Sequence, residues 1–329
     1  MSKILTVSVA AYNVEDVIEQ CLDSFIKSNF LDDFEVIVVD DGSKDHTAEI
    51  VRRYEKRYPE TIRLIAKENG GHGSTINTGF KAARGKYFKI VDGDDWVDVR
   101  AFDELITFLK NQNPDVVINN YNKVYGGSIH LVHVYGNLKE RTLYQLKDLV
   151  NTKVPSYPMH TMTVRVELLK KSGINISEHC FYVDNELIFY AMLNCKTLAF
   201  LPGAIYQHRL GVDGQSVSPE GLYKHIEDLM HVIDKLFSLY NEIYGNDFTS
   251  PNSKYLFNQL SNMYNFLFRA YIVIRNSDKD KLLKDFDTPF REKFKNYVSR
   301  INLGKLGLIQ KNYSFGLCIF RLVYSLRRK

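Results

Sequence analysis

The sequence predicts an α/β fold over roughly its first two thirds and a helical region after it. Three observations carry this reading. The first hundred residues alternate strand-like and helix-like segments. The strand-like segments are continuous, β-branched apolar runs, the pattern of a parallel sheet covered on both faces. Two acidic clusters, Asp40-Asp41-Gly42-Ser43 and Asp92-Gly93-Asp94-Asp95, fall just past the ends of such strands, where open α/β sheets hold their ligands.

The elements follow in order. Ile4 to Ala10 reads as a strand, and Glu15 to Lys27 as a helix with Val17, Ile18, Cys21, Leu22 and Phe25 on one face. Phe34 to Val39 is a second strand. A helix over Thr47 to Arg57 stops before Pro59. Ile62 to Ile65 is a short strand, Ser74 to Ala83 a helix, and Tyr87 to Val91 a strand. Phe102 to Lys110 (helix) and Asp115 to Asn119 (strand) continue the alternation. Shorter strand-like pieces run from Asn120 to Tyr144, and residues 150–220 are mixed. From Leu222 onward apolar residues recur at helical spacing (Ile226, Leu229, Met230, Ile233, Leu236, Phe237, Tyr240). The expected organisation is therefore a domain over 1–220 and a helical region over 221–329.

Composition is that of a globular chain, with 45% hydrophobic and 25% charged residues among 329. The 21 Tyr and 20 Phe suit sugar faces, but core packing is their first use. The net charge of +4 is uneven: Lys293 to Lys329 holds nine Lys or Arg and no Asp or Glu, which favours an anionic surface. The four cysteines, Cys21, Cys180, Cys195 and Cys318, form no CxxC pair, so neither a zinc site nor a disulfide framework is expected, and a reducing cytosol fits. Ile4 to Val9 is too short for a signal peptide, and no apolar run approaches the ~20 residues that span a bilayer.

Five clusters can carry chemistry. Three carboxylates at Asp92, Asp94 and Asp95 crowd a strand end; a divalent cation relieves their repulsion, and a solvated acidic turn or a loose cap by Asp95 on the next helix is the simpler use. An EF-hand does not fit, because Val97 stands at the glycine position and Asp103 at the twelfth. Asp40 and Asp41 can accept from a base N–H or ribose hydroxyls, or can belong to an Asx turn with Ser43 or Asp45 capping a helix. Asn69 to Asn77 contains Gly70, Gly71 and Gly73, which let backbone amides approach a phosphate at a helix N-terminus. A dinucleotide fingerprint fails there, since Ile76 replaces the third glycine and no strand immediately precedes the loop. Asp184 and Glu186 lie in an apolar, aromatic stretch, where a carboxylate has a raised pKa and can serve as a base, or Asp184 can cap a helix. His208 and Arg209 offer a metal ligand and a phosphate partner.

Taken in order, Ser8 to Asn13, Val38 to Ser43, Asn69 to Gly79 and Val91 to Asp95 resemble the family 2 glycosyltransferases of GT-A fold, closely over residues 4–100 and more loosely to 220. The resemblance implies a Rossmann-like mixed sheet and an inverting transfer from a UDP-sugar. It implies that Ala10, Tyr12, Glu15 and Asp41 hold the nucleoside, that Asp92 and Gly93 meet the donor, and that Asp92 and Asp94 bind Mn²⁺ or Mg²⁺ with His208 as a third ligand. Asp184 matches the base, and Arg209 and Ser216 match a phosphate-binding pair. Asn77 matches the asparagine of an Ala-Arg-Asn-x-Gly motif, but Ile76 replaces its arginine, so phosphate charge has to be met by Lys81, Arg84 or Arg209. The acidic motif reads Val183-Asp184 instead of Glu-Asp.

The acceptor expected from the resemblance is a glycan or a polyprenol-linked sugar in cell-surface polysaccharide assembly. Tyr313 to Leu326, apolar around Arg321 and followed by Arg327-Arg328-Lys329, reads as an interfacial basic segment on the inner membrane leaflet or as a core helix. The expected location is cytoplasmic, peripheral on the inner membrane face, with self-association allowed for. A non-catalytic sugar-nucleotide-binding subunit is the rival reading. No RNP, KH or zinc motif supports nucleic acid as a partner.

Overall fold

The computed structural model describes residues 3–136, 138–150, 157–211, 218–274 and 276–326. The chain forms two compact units, residues 1–212 and 213–329.

The first unit is built on one mixed sheet. Its elements are β1 (Leu5–Ala11), α1 (Ile18–Ile26), β2 (Phe34–Asp40), α2 (Thr47–Arg57), β3 (Ile62–Ala66), α3 (His72–Ala82), β4 (Tyr87–Asp92), β5 (Trp96–Val97), α4 (Val99–Asn111), β6 (Val116–Tyr125), β7 (Ser128–Val132), β8 (Leu143–Gln145), α5 (Leu146–Leu149), β9 (Met162–Arg165), α6 (Val166–Lys171), α7 (Asp184–Leu193) and β10 (Thr197–Arg209). The strand order is β3-β2-β1-β4-β9-β6-β10-β5, with β7 beside β6 and β8 beside β10. The strands β3, β2, β1 and β4 run parallel. Between β4 and β6 the short β9 runs antiparallel to both, which makes the sheet mixed. β10 runs parallel to β6, with register irregularities between Leu201 and Tyr206.

The sequence pattern explains the left half directly. Every residue of β2 is buried, as expected of a strand with helices on both faces. Phe25 of α1, Phe34 of β2 and Phe102 of α4 meet edge to face, with Phe102 at 5.4 and 5.0 Å from the other two. The helix α4 begins earlier than its apolar pattern suggests, because Asp98, not Asp95, caps it by accepting from Ala101 N at 2.9 Å. Asp45 accepts from Thr47 N at 3.0 Å ahead of α2. At the N-terminal ends of β1 and β2, Glu35 accepts from Thr6 Oγ1 (2.7 Å) and Arg84 N (2.7 Å), and Arg63 pairs with it at 3.1 Å.

The second unit is helical: α8 (Pro219–Tyr244), α9 (Pro251–Ile274), α10 (Ser277–Lys293), α11 (Lys295–Val298), α12 (Gly307–Lys311) and α13 (Tyr313–Leu326). Ser218 caps α8 and Pro219 opens it. The aromatic residues serve the core, with Phe237, Tyr264, Phe290 and Phe294 in mutual contact. Arg321 of α13 is not a membrane-facing charge. It forms a two-pronged pair with Asp280 (2.8 and 2.6 Å) and donates to Tyr271 O at 2.8 Å. Among the described residues, no helix is long and apolar enough to cross a membrane.

Candidate active site

The C-terminal ends of β1, β2 and β4 are tied into one ledge. Asp41 N donates to Ala11 O at 2.9 Å and Gly93 N to Ala10 O at 2.8 Å. A Cβ at Gly93 would stand 2.9 Å from Ala10 O, so only glycine allows that approach. The loops after β1 and β2 are then stitched together. Asn13, at φ +51°, receives Lys44 N on Oδ1 at 2.8 Å. Glu15 donates its N–H to Asp45 (3.1 Å) and accepts from His46 N (2.8 Å). Tyr12, in the loop after β1, is half exposed.

Asp41 is buried beneath the glycine loop and fully engaged. Its carboxylate accepts from Lys67 Nζ (2.7 Å), Gly70 N (3.0 Å), Gly71 N (2.8 Å) and Ser74 Oγ (3.2 Å). Burial works to raise its pKa, but Lys67 and the two glycine amides outweigh it and hold the carboxyl below its ordinary value. This corrects the phosphate-cradle expectation for the loop: the anion taken by the Gly70 and Gly71 amides is an internal carboxylate. Gly71 and Gly73 serve close packing instead. A Cβ on Gly73 would fall 1.9 Å from Ser177 O, and one on Gly71 would fall 3.2 Å from His179 N.

Asp92 ends β4 between two partners. His72 Nε2 lies 3.0 Å from its Oδ1, and Tyr206 donates to its Oδ2 at 2.9 Å. Burial opposes ionisation, yet these two groups take the Asp92 pKa down to about 2. Asp94 is pushed the other way, by burial and then by the charge of Asp92. Asp95 is 2% exposed and is driven up to about 8 by burial and by both neighbouring carboxylates. It still accepts from Arg209 N at 2.6 Å. The rest of Arg209 braces the same turn: Nε donates to Asp94 O (2.8 Å), Nη2 donates to Gln20 Oε1 (2.7 Å), and the guanidinium lies 4.8 Å from the Trp96 ring centre.

Asp184 opens α7 and comes into the field of both Asp92 and His72. Burial raises its pKa to about 6, with His72 and the Asn185 amide opposing and Asp92 reinforcing. The loop before it is fixed onto α3. His179 N donates to Gly70 O at 2.6 Å. Asn77 accepts from Ile176 N (3.0 Å) and donates to Ile176 O (2.9 Å) and Glu178 (3.1 Å). His179 and Tyr182 hold positive φ of +50° and +62°, a strained path that delivers Asp184 to the site. Asn77 thus acts as a clamp on the segment that carries Asp184.

Other expected residues stand elsewhere. Lys81 occupies the last turn of α3, on the order of 13 Å along the helix from His72. Arg84 follows it at the N-terminal ends of β1 and β2, where its amide binds Glu35. A helix antiparallel to its strands carries its last turn away from the strand C-termini, so neither cation reaches the acidic ledge. Ser216 lies outside the described residues. His208 sits beside Arg209 with its ring 5.4 Å from His160.

Four contributors escaped the sequence reading: His72, Tyr206, His160 and Lys89. Lys89 is 1% exposed on β4, donates to His160 O at 2.8 Å and Met162 O at 3.3 Å, and burial brings its pKa down to about 7. The His160 ring wedges against Tyr121 (4.3 Å) and Tyr206 (4.9 Å); burial and then His208 bring its pKa down to about 3, so it is a neutral spacer. The one local signal was a lysine inside the apolar strand Tyr87 to Val91.

Among the described residues, no three His, Cys, Asp or Glu side chains converge at metal-ligand spacing. Asp92 and Asp94 nonetheless fit a hard divalent cation. Both offer carboxylate oxygens, and after burial the charge of Asp92 is the next cause that lifts Asp94; a cation between them removes that repulsion. His208 Nδ1 is buried with no hydrogen-bond partner among the described residues.

The family described as Glycosyl transferase family 2 matches residues 6–173, just over half of the chain. A Bacillus subtilis protein described as an uncharacterized glycosyltransferase, EpsJ, is 43% identical over 117 residues, 36% of this chain and 33% of the relative. The poly(ribitol-phosphate) beta-glucosyltransferase of Bacillus spizizenii is 26% identical over 237 residues, 70% of this chain and 36% of the relative. The chain thus spans about a third of the length of these curated relatives. Among solved structures, that of S. aureus TarS 1-349 in complex with UDP-GlcNAc is similar with a TM-score of 0.74 at 20% identity, covering 98% of this chain and 92% of that one, which shows a shared GT-A fold.

Proposed function

We propose a function from one premise, that the chain belongs to glycosyl transferase family 2: it moves a hexose or N-acetylhexosamine from a UDP-sugar to a hydroxyl of a glycan or polyprenol-linked acceptor in cell-surface polysaccharide synthesis. The observation that carries this is that Asp184 stands within the electrostatic reach of His72 and Asp92. One carboxyl is held ionised at about 2 and the other is poised at about 6, the separation expected of a binding carboxylate and a base. The UDP-GlcNAc in the TarS structure and the poly(ribitol-phosphate) acceptor in the name of the Bacillus spizizenii relative support the donor and acceptor classes.

In this reading Tyr12 stacks on the uracil and Ala10, Gly93 and the Asp41 loop shape the nucleoside floor. Asp92 and Asp94, with His208 beside them, would hold Mn²⁺ or Mg²⁺, which when bound supplies Lewis-acid neutralisation of the departing diphosphate. Asp184 takes the proton of the acceptor hydroxyl as its oxygen attacks the anomeric carbon from the face opposite UDP; the C1–O bond to phosphate breaks and its electron pair leaves with UDP. Arg209 acts by holding the acidic turn.

The acceptor reading places the chain on the inner membrane face. On α13, Phe315 (65% exposed), Ile319 (38%) and Leu322 (63%) form one exposed stripe, and the segment around them is rich in Lys and Arg with no acid, the makeup of an interfacial helix.

The test is a donor panel: each UDP-, GDP- and dTDP-sugar incubated with Mn²⁺ or Mg²⁺, with nucleotide release followed with and without EDTA. Metal-dependent release from a UDP-sugar supports the reading. UDP binding without release, with acceptor supplied, favours the non-catalytic subunit.

A further inference from the structure

A donor diphosphate would bring negative charge to a ledge that already holds Asp92, Asp94 and Asp184. Most nearby cations are committed. Lys67 serves Asp41 and Ser74. Lys89 is sealed behind the ledge against two carbonyls. Arg209 braces Asp94, Gln20 and Trp96. Lys123 stands opposite His208 in the β6–β10 register. Lys81, the other cation of α3, lies in its last turn.

His72 differs from all of these. It is the first residue of α3, and its Nε2 is buried and faces Asp92 Oδ1 at 3.0 Å. The first-turn amides of His72 and Gly73 have no acceptor within the helix and mark its positive end. One turn further, Ile76 is buried and apolar, so this face of α3 offers no longer cation to do the same work.

Resting on the transferase reading, we propose that His72 is a donor-binding residue whose imidazole Nε2–H passes from Asp92 to a phosphate oxygen of the nucleoside diphosphate when the donor binds. The contact strengthens as charge collects on that phosphate during departure of the sugar, so it favours the transition state over the bound substrate.

The experiment measures the affinity of UDP and of uridine by calorimetry, in Mn²⁺, for the wild type, His72→Ala and His72→Gln. It adds nucleotide-release rates and unfolding midpoints for all three. Loss of one hydrogen bond to a charged phosphate predicts about tenfold weaker UDP binding for His72→Ala, uridine affinity unchanged, slower release and partial recovery in His72→Gln. Equal affinities of UDP for wild type and His72→Ala overturn the proposal, as does an equal loss for UDP and uridine, which would make His72 a support for Asp92 alone. A wild type that binds neither nucleotide overturns the transferase reading itself, a different result from either.

Discussion

Gly71 donates its amide to Asp41 Oδ2 at 2.8 Å, while Gly70 and Lys67 hold Oδ1 at 3.0 and 2.7 Å. The glycine loop is therefore organised around a carboxylate of the protein itself. Asp41→Ala takes the carboxylate away from a partly buried ammonium and two amides, and a loss of about 1–3 kcal/mol in folding stability follows. Urea unfolding of the variant checks it; a loss under 1 kcal/mol would mean the loop keeps its shape without Asp41.

Gly73 packs directly under the Ser177 carbonyl, where a Cβ would stand 1.9 Å away. Gly73→Ala forces the 176–180 segment off α3 and moves Asp184 with it. Stability falls by about 1–3 kcal/mol, and turnover falls more than UDP affinity does, because the displaced segment carries the base. Release kinetics at saturating donor, set beside UDP titration, separate the two effects.

How far the sequence revealed all this depends on the range of the interactions. β1, β2 and β4 were legible because a strand buried on both faces writes itself as an unbroken apolar run, and the position of Asp92 to Asp95 at a strand end was legible with them. β9 was not: Met162–Arg165 is four residues long, and its antiparallel insertion depends on partners far away in the chain. His72 looked like one more residue in a glycine-rich loop, and its role rests on Asp92, reached only through the packing of α3 on the sheet. The assignments of Lys81 and Arg84 failed because charge alone does not say which end of a helix meets the strand termini.

The pH profile follows from Asp184. Its carboxyl is raised from the ordinary 3.8 to about 6, chiefly by burial. A base must be ionised to accept the acceptor's proton. Turnover is therefore flat above about pH 6 and falls tenfold per unit below it, which a rate profile at saturating donor and acceptor measures.

The helix α13 carries two kinds of residue with separable roles. Arg321→Ala breaks its pair with Asp280, whose partners are 18% and 16% exposed, and lowers stability by about 2–3 kcal/mol without abolishing vesicle binding. Phe315→Asp with Leu322→Asp leaves the fold intact, since both side chains are exposed, but lowers binding to anionic vesicles by at least tenfold in flotation. Neutral vesicles bind the wild type weakly.

The most direct test of the account is Asp184→Asn, which keeps shape and removes only the ability to take a proton. UDP affinity should stay within about twofold of the wild type, while nucleotide release with acceptor present should fall by a factor on the order of 10² to 10⁴. Turnover within a few-fold of the wild type would contradict the account and remove Asp184 from the reaction.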